Sequence, residues 1–152
     1  MNRKRNISRF ERYLFEEIGI EFKARLYFFC ILFFYSVYRI ANGNFEAGII
    51  HMTEMIFLAY GMGYAQVYLL SNFDEGEQLR LKEILYIILC SAIYTLVSFA
   101  GGWFDRSNGV SIAFFFYMMF AYICAFLVYK FRRDIDAKML NEDLKAFQER
   151  RE

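Results

Sequence analysis

Three ionisable side chains flank the short segment 42–46 of a strongly apolar chain: Arg39 precedes it, and His51 and Glu54 follow it. The spacing of His51 and Glu54 puts both on one face of a helix. An ionisable group within an apolar helix is costly and is a candidate for function, here a ligand-, proton- or metal-responsive cluster. We favour a plainer interpretation, in which an Arg39–Glu54 ion pair joins two helices and His51 lies near the lipid headgroups.

The sequence offers no catalytic apparatus around this cluster. One His and one Glu do not complete a metal site, and the di-iron bundle motif Glu-x-x-His occurs here once and in reversed order. The sequence also lacks a P-loop, G-x-S-x-G, H-E-x-x-H, paired C-x-x-C and a glycine-rich dinucleotide motif. Cys30, Cys90 and Cys124 all fall in apolar runs. We therefore expect a non-enzymatic protein without catalytic residues, cofactor or metal.

The composition indicates what kind of helix carries these residues. Of the 152 residues, 58% are hydrophobic and 21% are aromatic, which is more apolar surface than a soluble domain of this size buries. The chain contains no proline, so no helix needs to break at a missing backbone N–H. These features predict an all-α membrane protein that forms a single domain over residues 1–152.

Four apolar runs are candidates for membrane spans. A helix that crosses about 30 Å of hydrocarbon at about 1.5 Å per residue needs roughly 20 mostly apolar residues. The runs lie at about 24–41, 47–70, 84–104 and 108–129, and Arg39 must lie near one end of the first, where its side chain can reach the headgroups. Two short turns and the longer acidic loop 71–83 connect them. We predict an antiparallel four-transmembrane-helix bundle with a cytoplasmic N-terminal amphipathic segment 1–23 and a cytoplasmic C-terminal helix 130–152.

The positions of Lys and Arg predict the orientation of the bundle. Seven precede the first span, two lie in the middle loop, seven follow the last span, and only Arg39 and Arg106 fall on the other side. Lys and Arg resist translocation, so both termini and the middle loop are expected in the cytoplasm of a multi-pass plasma-membrane protein. Trp103 and Tyr38 then belong to the outer aromatic belt.

Small and hydroxyl residues recur within two of the spans. They are Ala59, Gly61, Gly63 and Ala65 in the second span and Ser91, Thr95 and Ser98 in the third. Such residues allow helices in lipid to approach closely and to form hydrogen bonds with each other. We interpret them as intramolecular packing or a homodimer seam rather than a transport path, because no ionisable residue lies at mid-membrane depth.

The predicted cytoplasmic segments carry apolar residues at helical spacing. Ile7, Phe10, Leu14 and Ile18 predict an amphipathic helix on the membrane surface. The candidate partner-binding residues are Arg80, Lys82, Phe131, Ile135, Leu144 and Phe147. They predict a platform for a protein partner, with the equal alternative that the apolar stripes pack on each other or on lipid headgroups. Interleaved acids argue against direct binding of nucleic acid.

Three segments resemble a family of small bacterial membrane proteins known as domain of unknown function 3021. They are IHMTEMIFLAYGMGYA at 50–65, the acidic loop NFDEGE at 72–77 and the tail YKFRRDI at 129–135. The resemblance implies a four-helix protein of Gram-positive bacteria, often paired with a LytTR-type DNA-binding regulator that it restrains at the membrane in some pairs. It matches Glu54, and Glu75 or Glu77, to acidic positions of that family. The tail is more nearly charge-balanced here, which argues against a purely electrostatic grip on a partner.

The sequence therefore leads to two hypotheses of different classes. The first is a non-enzymatic regulatory membrane protein that binds and restrains a cytoplasmic partner, in particular a LytTR-type transcription regulator. The alternative is a small transporter or channel subunit, dimeric through the small-residue faces, with His51 and Glu54 as its polar site. A scaffold subunit of a larger membrane complex is a third class that the residues do not rank.

Overall fold

The chain folds into helices joined by short loops. A computed structural model describes residues 9–70, 72–73, 76 and 78–149. The helices are α1 (Arg9–Ala41), α2 (Ile49–Tyr68), α3 (Leu81–Ala100) and α4 (Asn108–Glu149), and the described residues contain no strand. The all-α prediction is confirmed.

The two outer helices are longer than predicted. Segments 1–23 and 130–152 were expected as elements separate from the adjoining spans, whereas α1 is continuous over 33 residues and α4 over 42 residues. The predicted membrane boundaries near residues 23 and 130 therefore fall within continuous helices and stay predictions. The physical reason for this continuity is the absence of proline, since the single Gly19 in α1 costs only about 1 kcal/mol and does not end a helix. Ile7, which was assigned to the amphipathic segment, lies outside the described residues.

Helices α1 and α2 pack antiparallel. Near the C-terminal end of α1, the Tyr35 hydroxyl accepts a hydrogen bond from Gly48 N, which precedes α2, at 3.3 Å. Near the other end of the contact, the Cα of Gly63 approaches so closely that an added Cβ would lie 3.4 Å from Ile20 and 3.8 Å from Ala24. A small residue on α2 thus allows the two backbones to approach, as in helix pairs within membranes.

Helix α4 packs antiparallel against both α1 and α3. Its Phe114 ring lies 5.2 Å from that of Phe34, and its Tyr122 ring lies 4.5 Å from that of Tyr27. The Tyr122 ring also lies 6.4 Å from that of Tyr94 in α3. Helix α2 therefore packs mainly against α1, and α3 packs mainly against α4. Helices α2 and α3 make few contacts with each other.

The bundle has two distinct ends. At the first, which we call the Trp103 end, turns 42–48 and 101–107 meet, and Tyr38 donates a hydrogen bond to Asp105 Oδ2 at 2.8 Å. At the second, the Asn72 end, Lys23 donates to Asn72 Oδ1 and its Nζ lies 5.6 Å from the centre of the Tyr129 ring. Residues 130–149 of α4 continue beyond the Asn72 end, whereas Ile20 of α1 still packs against Gly63 of α2.

All four helices meet on the side chain of Tyr122. Its hydroxyl accepts a hydrogen bond from Gln66 Nε2 of α2 at 2.5 Å, and its ring contacts Tyr27 of α1 and Tyr94 of α3. Phe73, from the loop between α2 and α3, adds a ring at 5.6 Å. All five side chains are buried. Tyr122 is thus the centre of the core.

The exterior of the bundle is apolar, and several polar side chains are inside it. The exposed side chains on the outer faces include Phe29, Phe33, Phe57, Leu85, Leu96, Phe116 and Phe120, whereas the buried polar ones include Lys23, Gln66, Ser91 and Ser98. By length and composition, α3 and residues 108–148 of α4 could cross a membrane, and only 28% and 33% of their apolar stretches are buried. The core helix of a soluble protein would be buried all round, so these two helices support association with a membrane.

We predict that Tyr122→Phe destabilises the protein by about 1–3 kcal/mol, because Gln66 Nε2 would then be buried without an acceptor. The measurement is thermal unfolding in detergent followed by circular dichroism. Tyr60→Phe removes the same hydroxyl from a half-buried site in α2 and serves as the matched control. Because the loss of both partners is less costly than the loss of one, Gln66→Leu with Tyr122→Phe should recover part of the stability. Equal midpoints for the two Tyr→Phe variants would contradict the role of Tyr122.

Candidate functional site

Glu54 is the centre of a polar site at the Trp103 end. Its Oε2 accepts a hydrogen bond from Trp103 Nε1 at 2.7 Å and lies 3.3 Å from His51 Nδ1. Trp103 is only 2% exposed, so its indole N–H depends on this carboxylate for a partner. The contact joins α2 to the turn that follows α3. We call His51, Glu54, Gly101 and Trp103 the Glu54 site.

Gly101 allows the turn to approach this hydrogen bond. A Cβ added to Gly101 would lie 2.8 Å from Trp103 Nε1 and 3.1 Å from Glu54 Oε2. The neighbouring Gly102 has a φ of 70°, which glycine adopts without steric cost. The two glycines after α3 therefore turn the chain so that the indole returns onto Glu54.

Arg39 takes part in a different contact from the expected one. Its Nε and Nη2 both donate to the carbonyl oxygen of Glu46 at 3.1 Å, which closes turn 42–48. No ion pair joins Arg39 to Glu54, so the interpretation that we favoured from the sequence is wrong. The physical reason is that the turn supplies a nearer acceptor from the backbone, while Trp103, 49 residues from Glu54 in sequence, satisfies the carboxylate.

A cleft opens beside the Glu54 site, between α2 and α3. Its volume is about 740 Å³, and its walls are apolar except for Thr53 and the Glu54 carboxylate. The wall from α2 includes Phe57 and Leu58, and that from α3 includes Val97 and Ala100. The sequence did not predict this cleft, because the separation of α2 from α3 depends on how both pack against α1 and α4.

The Glu54 site has the chemistry of a binding site. A carboxylate beside an imidazole can bind a cation or share a proton, and the indole N–H fixes one of its oxygens. Among the described residues, no group of three or more His, Cys, Asp and Glu side chains is placed to hold a metal ion. The Glu54 site therefore consists of one carboxylate, one imidazole and the indole N–H that fixes the carboxylate.

The hydroxyl residues of α3 form hydrogen bonds mainly within their own helix. Thr95 donates to the Ser91 carbonyl and Ser98 to the Thr95 carbonyl, both at 2.8 Å, so these two do not bond across to a neighbouring helix. Ser91 Oγ and Gln66 Oε1 are buried without a hydrogen-bond partner. A hydroxyl and an amide oxygen without partners inside an apolar bundle are costly, and they lie on helices that meet at Tyr122.

The small residues of α2 point to two different surroundings. Ala59 and Gly63 are buried, and Gly63 faces α1. Gly61 is exposed, with open space where a Cβ would lie, and Ala65 is half-buried. One small-xxx-small pair thus packs within the chain, while the other includes a residue at the outer surface.

The Asn72 end contains a buried cation, Lys23. From the sequence, this residue served only as one of the positive charges that predict the orientation in the membrane. Lys23 is 1% exposed and contacts Asn72 and Tyr129 from α1. Asn72 has a φ of 54°, a conformation that Asn tolerates better than most residues. Arg133 Nη2 also donates to Gly76 O at 2.7 Å. These contacts fix the start of the α4 extension against the loop between α2 and α3.

The candidate partner-binding residues lie at or beyond this end. Four of them expose half or more of their side-chain surface, namely Phe131, Ile135, Leu144 and Phe147. Arg80 is the residue before α3, where its backbone N donates to Glu83 Oε2 at 3.0 Å, and Lys82 Nζ lies 5.5 Å from the Tyr86 ring centre. Glu75 and Glu77 lie outside the described residues. The exposed side chains of Phe131, Ile135 and Leu144 therefore lie on the part of α4 beyond the Asn72 end.

Comparisons with protein-family models, with curated proteins and with solved structures find no match for this chain.

We predict that Gly101→Ala separates Trp103 from Glu54, because the new methyl group would overlap the indole nitrogen. The expected loss is about 1–2 kcal/mol, together with a shift in the fluorescence emission of Trp103, which is the only tryptophan. Gly109→Ala is the matched control, since nothing lies within 4 Å of a Cβ at that position. An unchanged emission spectrum and unfolding midpoint for Gly101→Ala would contradict the contact.

Proposed function

We propose that this chain is a four-span protein of the bacterial plasma membrane, and that its Asn72 end faces the cytoplasm and binds a protein there. The proposal combines three features: the apolar exterior of all four helices, the distribution of Lys and Arg, and the projecting part of α4. The last of these is the observation that carries the functional conclusion.

Four spans are supported because α1 and α2 lie alongside α3 and α4 between the same two ends of the bundle. Helices α3 and α4 have the length and hydropathy for crossing. Helix α1 lies beside α4 from Tyr27 to Phe34, and Tyr38 reaches Asp105 beyond the end of α3. If α3 and α4 cross the bilayer, turns 42–48 and 101–107 lie on the same side of it. Helices α1 and α2 must then cross as well.

The orientation follows from charge. Residues 1–25, 71–83 and 130–152 contain all but two of the Lys and Arg residues, with Arg39 and Arg106 at the Trp103 end. Cytoplasmic segments near membrane spans carry an excess of these residues. The Asn72 end therefore belongs in the cytoplasm, and the Glu54 site belongs near the outer leaflet.

We expect single cysteines at Asn44 and Ser107 to react with a membrane-impermeable maleimide in intact cells, and a cysteine at Gln78 to react only after permeabilisation. Asn44 is the decisive position, since a protein with only α3 and α4 as spans would keep it inside. A chain with Cys30, Cys90 and Cys124 replaced by alanine provides the background. Labelling of Gln78 in intact cells, or protection of Asn44, would contradict the proposed topology.

The projecting part of α4 supports binding of a protein. Residues 130–149 span about 30 Å at the rise of an α-helix. Phe131, Ile135 and Met139 follow one another at four-residue spacing on one face, and all are more than half exposed. Leu140 and Leu144 begin a second stripe that is similarly exposed. Stripes of this kind are the surfaces through which helices bind apolar grooves or other helices.

This surface is presented in a defined position. Arg133 is bonded to Gly76 and Lys23 lies beside Tyr129, so α4 leaves the bundle at a fixed angle. A preordered binding surface loses less conformational entropy on association than a flexible tail. Residues 130–149 contain five basic and five acidic side chains, so apolar contacts rather than net charge would select the partner.

A transcription regulator of the LytTR type is the partner class that we propose, on the basis of the resemblance described for the sequence. A regulator held at the membrane is removed from DNA, and tethering raises its local concentration at the anchor. Regulation of this kind needs a binding surface and an anchor but no catalytic residue. Regulation by tethering is therefore consistent with this bundle, in which the described polar groups form contacts between helices.

We predict that Phe131→Asp with Ile135→Asp reduces the recovery of a co-expressed LytTR-type regulator in the membrane fraction by about tenfold, because two charges would have to be buried in the interface. Asn141→Asp with Gln148→Asp is the matched control, since it adds the same charge to the polar face of the helix. The amount of each variant in the membrane is measured in parallel. Unchanged recovery with the first pair, or equal loss with both pairs, would contradict binding through the Phe131 stripe.

A further inference from the structure

We propose that the cleft between α2 and α3 binds a lipophilic cation, with the Glu54 carboxylate as its counter-ion. This inference concerns the Trp103 end and does not depend on the binding of a protein at the Asn72 end. The shape of the cleft, the contacts of the carboxylate and the aromatic surface beside it support this inference.

The size and lining of the cleft fit a small amphiphilic ligand. Its volume of about 740 Å³ lies in the range of about 300–1,000 Å³ that ligand pockets occupy. Ile50, Phe57 and Val97 supply apolar surface, and Glu54 supplies the charge. A ligand that matches this lining has a bulky apolar body and a single positive charge.

Within the described residues, only one of the two oxygens of the Glu54 carboxylate forms polar contacts. Both of its contacts, from Trp103 Nε1 and with His51 Nδ1, are made to Oε2. Its Oε1 therefore forms no hydrogen bond within the described structure. The Glu54 side chain is 42% exposed, so Oε1 can be reached from the cleft, where its negative charge attracts a cation. The indole bond meanwhile keeps the carboxylate from turning away.

Aromatic side chains extend the site for a cation. Phe57 lines the cleft and is 74% exposed, so its ring face is available to a ligand. A cation within about 6 Å of an aromatic ring is attracted to its face. The combination of a carboxylate with an open aromatic ring favours an organic cation with low hydration over a small metal ion or an ammonium with a strong hydration shell.

The position of the cleft is consistent with a ligand that partitions into the membrane. The cleft opens sideways between two helices whose outer faces are apolar, with Ile56 and Leu96 exposed. Near the Trp103 end, such a ligand could place its charge at the depth of Glu54 and its body against Phe57. A lipid chain could enter the same space, but a neutral chain would make no use of the carboxylate.

The test uses tetraphenylphosphonium as the probe and the full chain purified in a non-ionic detergent. Binding is measured by equilibrium dialysis, with protein-free micelles as the background. Glu54→Gln keeps a hydrogen-bond acceptor for Trp103 but removes the charge, and we expect it to weaken binding at least about tenfold, equivalent to about 1.4 kcal/mol. Glu46→Gln removes a carboxylate from the same end outside the cleft, and we expect its affinity to remain within about twofold of the original.

A second variant blocks the cleft while it leaves Glu54 in place. Ala100→Leu adds a larger side chain to the wall from α3, and we expect a similar loss of binding with little change in the unfolding midpoint. This variant keeps the proposal testable if Glu54→Gln does not fold. Triphenylphosphine oxide, a neutral molecule of related bulk, should compete at least about tenfold less well than unlabelled tetraphenylphosphonium. Undiminished binding to Glu54→Gln or to Ala100→Leu, or equal competition by the neutral molecule, would overturn the proposal.

Discussion

The hydrogen bond between Gln66 and Tyr122 is the contact on which the arrangement of the bundle depends. It joins α2 to α4, two helices that are not major packing neighbours, while the Tyr122 ring contacts Tyr27 and Tyr94. In a bilayer, apolar side chains gain little from facing each other rather than lipid, so close packing and polar contacts must set the positions of helices. A single buried phenol that meets all the helices fixes their relative depth.

The same logic explains why polar contacts occur at three levels of the bundle. At the Trp103 end, Glu54 joins α2 to the turn after α3. At mid-depth, Gln66 joins α2 to α4, and at the Asn72 end Lys23 joins α1 to the loop at Asn72. Helix α2 carries two of these contacts although it has little packing against α3. Hydrogen bonds therefore hold α2 in place on the side of the bundle where the cleft lies. The cleft beside Glu54 can stay open because the position of α2 does not depend on packing against α3.

The helices themselves could be predicted from the sequence, but several of the contacts between them could not. The apolar runs 47–70 and 84–104 correspond closely to α2 (Ile49–Tyr68) and α3 (Leu81–Ala100), because helix formation depends on local composition. The sequence also predicted helical character beyond the apolar runs of α1 and α4, but it did not show that each run and its charged extension form one continuous helix. His51 and Glu54 were identified from their spacing. Their partner Trp103 was assigned to the aromatic belt, since nothing local relates residues 49 positions apart.

The length of α4 has a mechanical consequence. A continuous helix of 42 residues extends for about 63 Å, and roughly half of it lies beyond the packed bundle. A rod of this kind amplifies motion: a tilt of about 10° at Tyr129 would move the far tip sideways by about 5 Å, given the rise of about 1.5 Å per residue. Small changes in how the packed helices lean against one another would therefore reach the far end of α4 as displacements as large as a side chain.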